Sequence, residues 1–332
     1  FDGREDRYAA RRVKARLSGA NIRRSRSQFD CLCRIYLAFL PTSTFFLKSF
    51  SAEHILKEAL DVARTRKEKP SSREFEWMFE ASTGLTRLAR LSQPDATIDT
   101  ASRNRFLEMC ERRMAGEPVQ YILGEASFFG YTFRVNSAVL IPRPETELLV
   151  EWVLEQSNLP PGAKLLDIGT GSGCIPITVA LQNSEIACSG IDLSADALEV
   201  ARLNATSLGA SVHFSQLDLF SESLVTELDV PFDVLISNPP YIPDSESVTL
   251  STEVRDHEPG LALFCGTDPL LFYRKIAELA PLVLKKAGKI AVEVHADFGS
   301  DVLEMFVHSG LRNTEIIHDL SNRERIVVAE VD

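Results

Sequence analysis

The chain has 332 residues, 45% hydrophobic and 25% charged, a globular composition that excludes wholesale disorder, collagen-like repeats and an extended coiled coil. Its 36 Lys/Arg stand against 47 Asp/Glu for a net charge of −11, unevenly spread: residues 1–50 hold 11 basic and 4 acidic residues, leaving 25 and 43 for residues 51–332. A body that acidic repels phosphate backbone, so direct nucleic-acid binding is not expected, and a protein or small-molecule substrate is.

The basic segment 1–50, with Arg4, Arg7, Arg11, Arg12, Lys14 and Arg16 among small residues, has the composition of a mitochondrial or plastid transit segment or of a disordered basic tail. The first reading places the protein in an organellar matrix, although Asp2, Glu5 and Asp6 argue against it; otherwise it is cytoplasmic. Phe1 in place of Met suggests a fragment or a processed form. Cys31, Cys33, Cys110, Cys174, Cys188 and Cys265 include no C-x-x-C pair and no His at zinc-ligand spacing, so neither a metal site nor a disulfide framework is expected. No apolar run approaches the roughly 20 residues of a membrane span.

From Ser51 the apolar spacing turns helical. Ile55, Leu56, Ala59, Leu60 and Ala63 share a face; Phe75, Met78 and Phe79, then Leu85, Leu88 and Leu91, predict further helices, and Phe106, Leu107 and Cys110 lie inward on another from Thr100 to Met114. Residues 51–115 read as a small helical bundle. Residues 116–141, with Phe128, Phe129, Tyr131 and Phe133 broken at Gly130, predict a β-hairpin linking it to a larger domain, 142–332. There a helix over 146–156 precedes strands at 164–168, 187–191, 212–216, 232–237, 289–294, 316–319 and 326–331, with helices at 175–181, 195–208, 270–284 and 300–308. The alternation predicts an α/β fold, a doubly wound, mostly parallel sheet whose ligand sits beyond the carboxyl ends of the strands.

At the first such end Asp167-Ile168-Gly169-Thr170-Gly171-Ser172-Gly173 opens a helix. Glycines at alternate positions permit a sharp turn and close ligand approach. A dinucleotide fingerprint would place Gly or Ala where Cys174 stands, so the spacing favours a nucleoside with an amino-acid tail, S-adenosylmethionine, over a dinucleotide or a purely structural turn. Asp192, at the tip of the second strand beside Leu193, is the candidate acceptor for ribose hydroxyls, or else a helix cap, a role Ser194 fills better. Asp218 could accept from an adenine amino group while Leu219 packs on the ring, or it is a solvated loop residue.

The fourth strand runs into Asn238-Pro239-Pro240-Tyr241. Two prolines remove two backbone donors, so this turn can offer the Asn238 side-chain oxygen and the Pro239 carbonyl to the hydrogens of a planar NH2 group, with the Tyr241 ring as a face for it. Such a clamp aims the nitrogen at the methyl carbon of a sulfonium for in-line displacement, and no strong general base is required.

Gly116-Glu117-Pro118-Val119-Gln120-Tyr121-Ile122-Leu123-Gly124, Phe128-Phe129-Gly130, Leu140-Ile141-Pro142-Arg143-Pro144-Glu145-Thr146-Glu147, the glycine loop and Asn238 to Pro243 together resemble the HemK/PrmC family of N5-glutamine methyltransferases, over about residues 51–332. The resemblance implies a helical N-terminal domain, a seven-stranded methyltransferase sheet, S-adenosylmethionine as cofactor and, as protein substrate, the glutamine of the Gly-Gly-Gln tip of a class I peptide chain release factor; a monomer is expected, though nothing in the sequence fixes the oligomeric state. It implies further that Gly169 to Gly173 hold the methionine part of the cofactor, that Asn238 to Tyr241 clamp the amide, that Arg143 and Glu145 shape the substrate mouth or form a structural salt bridge, and that Glu253 to Pro259 form a loop covering the site. A glutamine methylase of a ribosomal protein, an amino-methylating nucleic-acid enzyme and a non-catalytic cofactor-binding scaffold are the competing readings.

Overall fold

The computed structural model describes residues 49–65, 70–156 and 159–332; the expected transit segment therefore lies outside the described residues but for its last two positions. The chain divides into two compact units, Phe1–Glu111 and Arg112–Asp332. Among the described residues no helix is long and apolar enough to cross a membrane.

The first unit pairs β1 (Ser49–Ser51) with β2 (Thr97–Asp99) antiparallel, two short strands without enough residues to show an alternating pattern. Helices α1 (Ala52–Arg64), α2 (Ser72–Thr83) and α3 (Arg87–Ser92) are capped by the Ser51, Ser71 and Thr86 side chains, each accepting from an otherwise unpaired first-turn N–H. Helix α4 (Thr100–Met114) carries Phe106, which meets Phe79 edge-on with ring centroids 5.0 Å apart. Leu88 and Leu91 lie on the expected helix but are exposed. The buried position on α3 belongs instead to Arg90, whose guanidinium lies over the Phe79 ring and pairs with Glu53 at 3.2 Å.

In the second unit Val119–Leu123 form a short helix, α5, rather than the start of a strand, so the hairpin is confined to β3 (Glu125–Phe128) and β4 (Tyr131–Arg134). It is not a free linker. Buried Asn204 accepts from the Arg134 N–H at 2.7 Å and donates to the Arg134 carbonyl, fastening the hairpin into this unit.

After α6 (Glu147–Leu154) come β5 (Lys164–Ile168), α7 (Cys174–Gln182), β6 (Ala187–Asp192), α8 (Ala195–Leu208), β7 (Val212–Gln216), α9 (Leu224–Glu227) and β8 (Phe232–Ser237). Then follow α10 (Thr252–His257), α11 (Gly260–Leu263), α12 (Leu271–Val283), β9 (Leu284–Glu293), α13 (Gly299–His308), β10 (Arg312–His318) and β11 (Glu324–Glu330). The seven strands lie in the order β10-β11-β9-β8-β5-β6-β7, parallel from β9 to β7 and antiparallel at the β10–β11–β9 edge. Successive strand residues alternate between two cores. Leu166, Leu235 and Val292 pack with Tyr273 and Ile276 of α12 and Phe306 of α13 on one face, and Leu165, Val234 and Ile236 with Leu149, Ile177 and Leu198 of α6 to α8 on the other. Burying both faces makes the central strands read as nearly continuous apolar runs, each fully buried Leu, Ile or Phe contributing about 1.5–3 kcal/mol.

Three expectations are corrected in detail. β9 begins five residues before the expected Lys289, but its first half bulges, with partners jumping from Phe232↔Leu284 to Val234↔Lys289 and Ala287 at φ 58°. β10 begins at Arg312, because an edge strand exposes the polar Arg312 to Glu315 that conceal its pattern. Glu253 to Pro259 form no simple loop: most of the segment is helix α10, capped by Ser251.

Candidate active site

The chain runs outward from β5 through β6 to β7, then returns to β8 on the other side of β5. The tips of β5 and β8 therefore lie side by side at the point where strand order reverses, with Ile168 paired to Ser237, and the loops leaving them diverge to open a crevice. The glycine loop forms one wall and Asn238-Pro239-Pro240 another.

Gly169 and Thr170 both donate to the Ile191 carbonyl at 2.9 Å, tying the loop to β6. Gly169 and Gly171 have φ of 74° and 53°, which a side chain would strain, and open space lies where their β-carbons would be. Gly173 is different. Its β-carbon would come within 2.9–3.2 Å of Ile177, Phe214 and Ala201, so it serves helix–sheet packing and does not line the cavity. Asn204 also donates to the Ser172 carbonyl at 2.9 Å, so one buried amide holds the loop and the hairpin together.

Asp192 lines the cavity and accepts from the Gly171 N–H with one carboxylate oxygen and from the Ser194 N–H with the other, both at 2.9 Å. Burial raises its pKa, against the pull of those two donors. The helix cap is Ser194, which accepts from the Ala197 N–H. Asp167 is wholly buried behind the loop rather than in the cavity wall, a correction to its expected contact with cofactor. Among the described residues neither of its oxygens has a partner at hydrogen-bonding geometry, and burial pushes it up to about 7 against the pull of the nearby Thr170 hydroxyl. Thr170 lines the cavity, while its buried hydroxyl turns toward Gly190 of β6 and, among the described residues, has no partner at hydrogen-bonding geometry.

Leu193, Asp218 and Leu219 complete this side of the cavity. Asp218 is exposed and accepts from the Phe220 N–H at 2.9 Å through Oδ1, leaving Oδ2 unengaged among the described residues. The wall thus combines carboxylates, glycine-loop backbone and apolar surface from Leu219 and Phe272. That set fits a positively charged nucleoside with an amino-acid tail.

Opposite, Asn238 donates through Nδ2 to the Thr146 hydroxyl at 3.1 Å, and Thr146 donates to Glu293 Oε2 at 2.6 Å. Among the described residues no donor engages Asn238 Oδ1 or the Pro239 carbonyl. Tyr241 does not line the cavity as expected: its hydroxyl donates to Glu293 Oε1 at 3.4 Å, and it anchors the turn from behind. Beyond it, Ile242 exchanges backbone hydrogen bonds with Leu263 and Cys265, fastening α11 to the turn.

Arg143 lines the cavity and pairs with Glu258, whose other oxygen accepts from the Ile141 N–H. Its salt bridge is structural, while its place in the wall keeps it at the mouth. Glu145 does not line the cavity; its charge acts on Glu293 and Arg325. The sequence singles out neither Thr146 nor Glu293, and Glu258, within the segment expected to cover the site, instead braces Arg143. A signal existed for Glu293, a carboxylate ending the apolar run Ile290-Ala291-Val292.

Two families match by sequence: "Methyltransferase small domain" over residues 144–254 and "PrmC N-terminal domain" over residues 54–124. Together with the seven-stranded sheet and its crevice, they define a class I methyltransferase with a helical N-terminal domain. Relatives matched over most of their own length narrow this. A release factor glutamine methyltransferase of Chlorobaculum tepidum is 39% identical over 84% of this chain and 96% of its own. One of Bacillus cereus is 41% identical over 71% and 84%, and one of Neisseria gonorrhoeae 38% over 77% and 92%. The chain belongs to the release factor glutamine methyltransferase family.

Proposed function

We propose that the chain transfers the methyl group of S-adenosylmethionine to the side-chain amide nitrogen, N5, of the glutamine in the Gly-Gly-Gln tip of a class I peptide chain release factor. The observation that carries this reading is the pair of unengaged acceptors, Asn238 Oδ1 and the Pro239 carbonyl, beside the open glycine loop. Two acceptors on neighbouring residues suit the two hydrogens of a carboxamide NH2.

When bound, the cofactor supplies an electrophilic methyl carbon on a positively charged sulfur. Asn238 and Pro239 draw on the amide hydrogens, raise the electron density of a nitrogen whose lone pair is otherwise delocalised, and aim it at that carbon. The cofactor would also supply the leaving group, a neutral thioether that would take the electron pair of the broken carbon–sulfur bond as the amide nitrogen gained the methyl. The two carbonyl dipoles stabilise the positive charge gathering on nitrogen, and the proton then leaves to water. Orientation of this kind can supply several of the roughly 7–11 kcal/mol available from positioning. Gly169, Thr170, Gly171 and Ser172 receive the methionine part, Asp192 and Leu193 the ribose, Asp218 and Leu219 the adenine, and Arg143 the rim where the release factor enters.

All of these groups come from one chain, so the reading needs no second copy. Residence in an organellar matrix rests on the basic composition of residues 1–50 alone; the relatives named above are bacterial.

Incubation with methyl-labelled S-adenosylmethionine and, separately, a class I release factor, ribosomal proteins and DNA tests the reading. Peptide mapping should place one methyl on the Gly-Gly-Gln glutamine. Label only on a ribosomal protein, or on an amino group of a base, would replace it.

A further inference from the structure

Both hydroxyls that meet Glu293 belong to residues flanking or forming the clamp: Thr146, which holds Asn238, and Tyr241, the last residue of the turn. Glu293 is 2% exposed, and among the described residues no cation lies within ion-pair distance of it. A buried carboxylate without a cation is costly to keep, and nothing in the packing of β9 asks for one.

We propose that Glu293 is a positioning residue which, acting through the Thr146 hydroxyl, decides which way round the Asn238 amide sits, so that its oxygen and not its NH2 group faces the cavity. This deepens the glutamine-methylating reading and rests on it for its consequence. The two ends of a carboxamide have nearly the same shape, so packing alone does not choose between them; hydrogen-bond polarity does. An ionised carboxylate only accepts. The single proton of Thr146 is therefore committed to Glu293 at 2.6 Å, and the hydroxyl can offer Asn238 nothing but a lone pair. Only the NH2 end can face it, as it does at 3.1 Å, which leaves Oδ1 toward the substrate.

Protonation reverses the argument. A neutral Glu293 can donate to Thr146, Thr146 can donate onward, and the Asn238 amide can turn its NH2 into the cavity, where it opposes the NH2 of an incoming glutamine. Burial pushes Glu293 up to about 7, with the Glu145 charge in the same direction and the Thr146 and Tyr241 hydrogen bonds and the Arg325 charge against it. The other titratable groups facing it are Cys174 on α7, Tyr273 on α12, whose hydroxyl donates to the Glu293 carbonyl at 3.0 Å, and His295, whose ring lies 5.9 Å from that of Tyr241. Turnover should therefore fall on the acid side of about pH 7.

Three variants test the relay: Thr146→Val, Thr146→Ser and Glu293→Gln. Its geometry is read without substrate, from hydrogen exchange of the Asn238 side-chain NH2 by NMR, assigned by its disappearance in Asn238→Asp. Exchange should quicken at least tenfold in Thr146→Val and stay near wild type in Thr146→Ser. In turnover on a release factor, Thr146→Val should lose at least tenfold in kcat while keeping cofactor affinity within threefold, and Thr146→Ser should stay within threefold. Glu293→Gln should lose the acid limb of the kcat profile. Unchanged exchange and kcat in Thr146→Val, or an acid limb of unchanged midpoint in Glu293→Gln, overturns the relay. A wild-type protein whose Asn238 exchange responds to Thr146→Val, but which leaves release-factor glutamine unmethylated, overturns the functional reading and leaves the relay standing.

Discussion

The Ser237 hydroxyl donates to the Ile168 carbonyl at 2.7 Å, a buried hydrogen bond between the last residues of β8 and β5. It joins the root of the clamp to the root of the glycine loop. Ser237→Ala should cost roughly 1–2 kcal/mol of unfolding free energy in urea titration and lower kcat more than it weakens cofactor binding. Equal losses in both would show that the bond supports only the loop.

Asn238→Ala removes one acceptor of the clamp and touches nothing in the glycine loop. Methyl transfer should fall by at least two orders of magnitude, with cofactor affinity by calorimetry within threefold of wild type. Wild-type turnover in this variant would contradict the clamp.

Asp192→Ala has a double expected effect, because the side chain also orders the Gly171 and Ser194 amides. Cofactor binding should weaken by roughly 1.5–3 kcal/mol, as for hydrogen bonds made by a charged group. A loss of thermal stability without cofactor should accompany it; stability loss with full affinity would leave Asp192 a loop brace only.

Asp167, pushed up to about 7 by burial, keeps in the folded protein a proton that its unfolded form, near 3.8, has lost. The folded state binds more protons between those values, so stability falls as pH rises from about 4 through 7. Asp167→Asn should raise the melting temperature most at pH 8, less at pH 5 and little near pH 4. A cationic cofactor favours the ionised form, so affinity should rise with pH toward about 7 with proton release, and the substitution should flatten that rise. Calorimetry in buffers of different ionisation enthalpy reads the released proton.

Arg143 can be separated into brace and mouth. Its Glu258 partner is 1% exposed in its side chain, so Arg143→Ala should strand a buried carboxylate and destabilise the protein by roughly 3 kcal/mol. Arg143→Lys keeps a charge but only one of the guanidinium's directions, and should recover part of it. A rise in KM for release factor in Arg143→Lys, with cofactor affinity unchanged, would mark contact with the substrate.

The sheet was legible because its strands are buried on both faces and bounded by turn residues, as at Lys164 to Gly169 and Phe232 to Pro239. The cavity wall was legible for the same reason: its residues sit at strand tips, where topology places ligands. Partners across the fold were not. Nothing in Pro-Glu-Thr-Glu says that Thr146 will meet a carboxylate 147 positions away, nor in a helix such as α8 that Asn204 will hold two carbonyls. Short helices such as α5, α10 and α11 carry too few turns to display a period. Asp167 shows the opposite failure. It begins the glycine-loop pattern, yet its position on β5 turns it into the interior.

The side-by-side strands that bear the loop and the clamp are joined in sequence only through two other strands and the helices between them. Neither half of the chemistry can be assembled early and wait for the other, since their adjacency exists only once distant segments have paired. A nascent or partly unfolded chain should consequently show no residual methylation, and recovery of activity on refolding should coincide with closure of the whole sheet, slowed by the loop-closure entropy of such remote contacts.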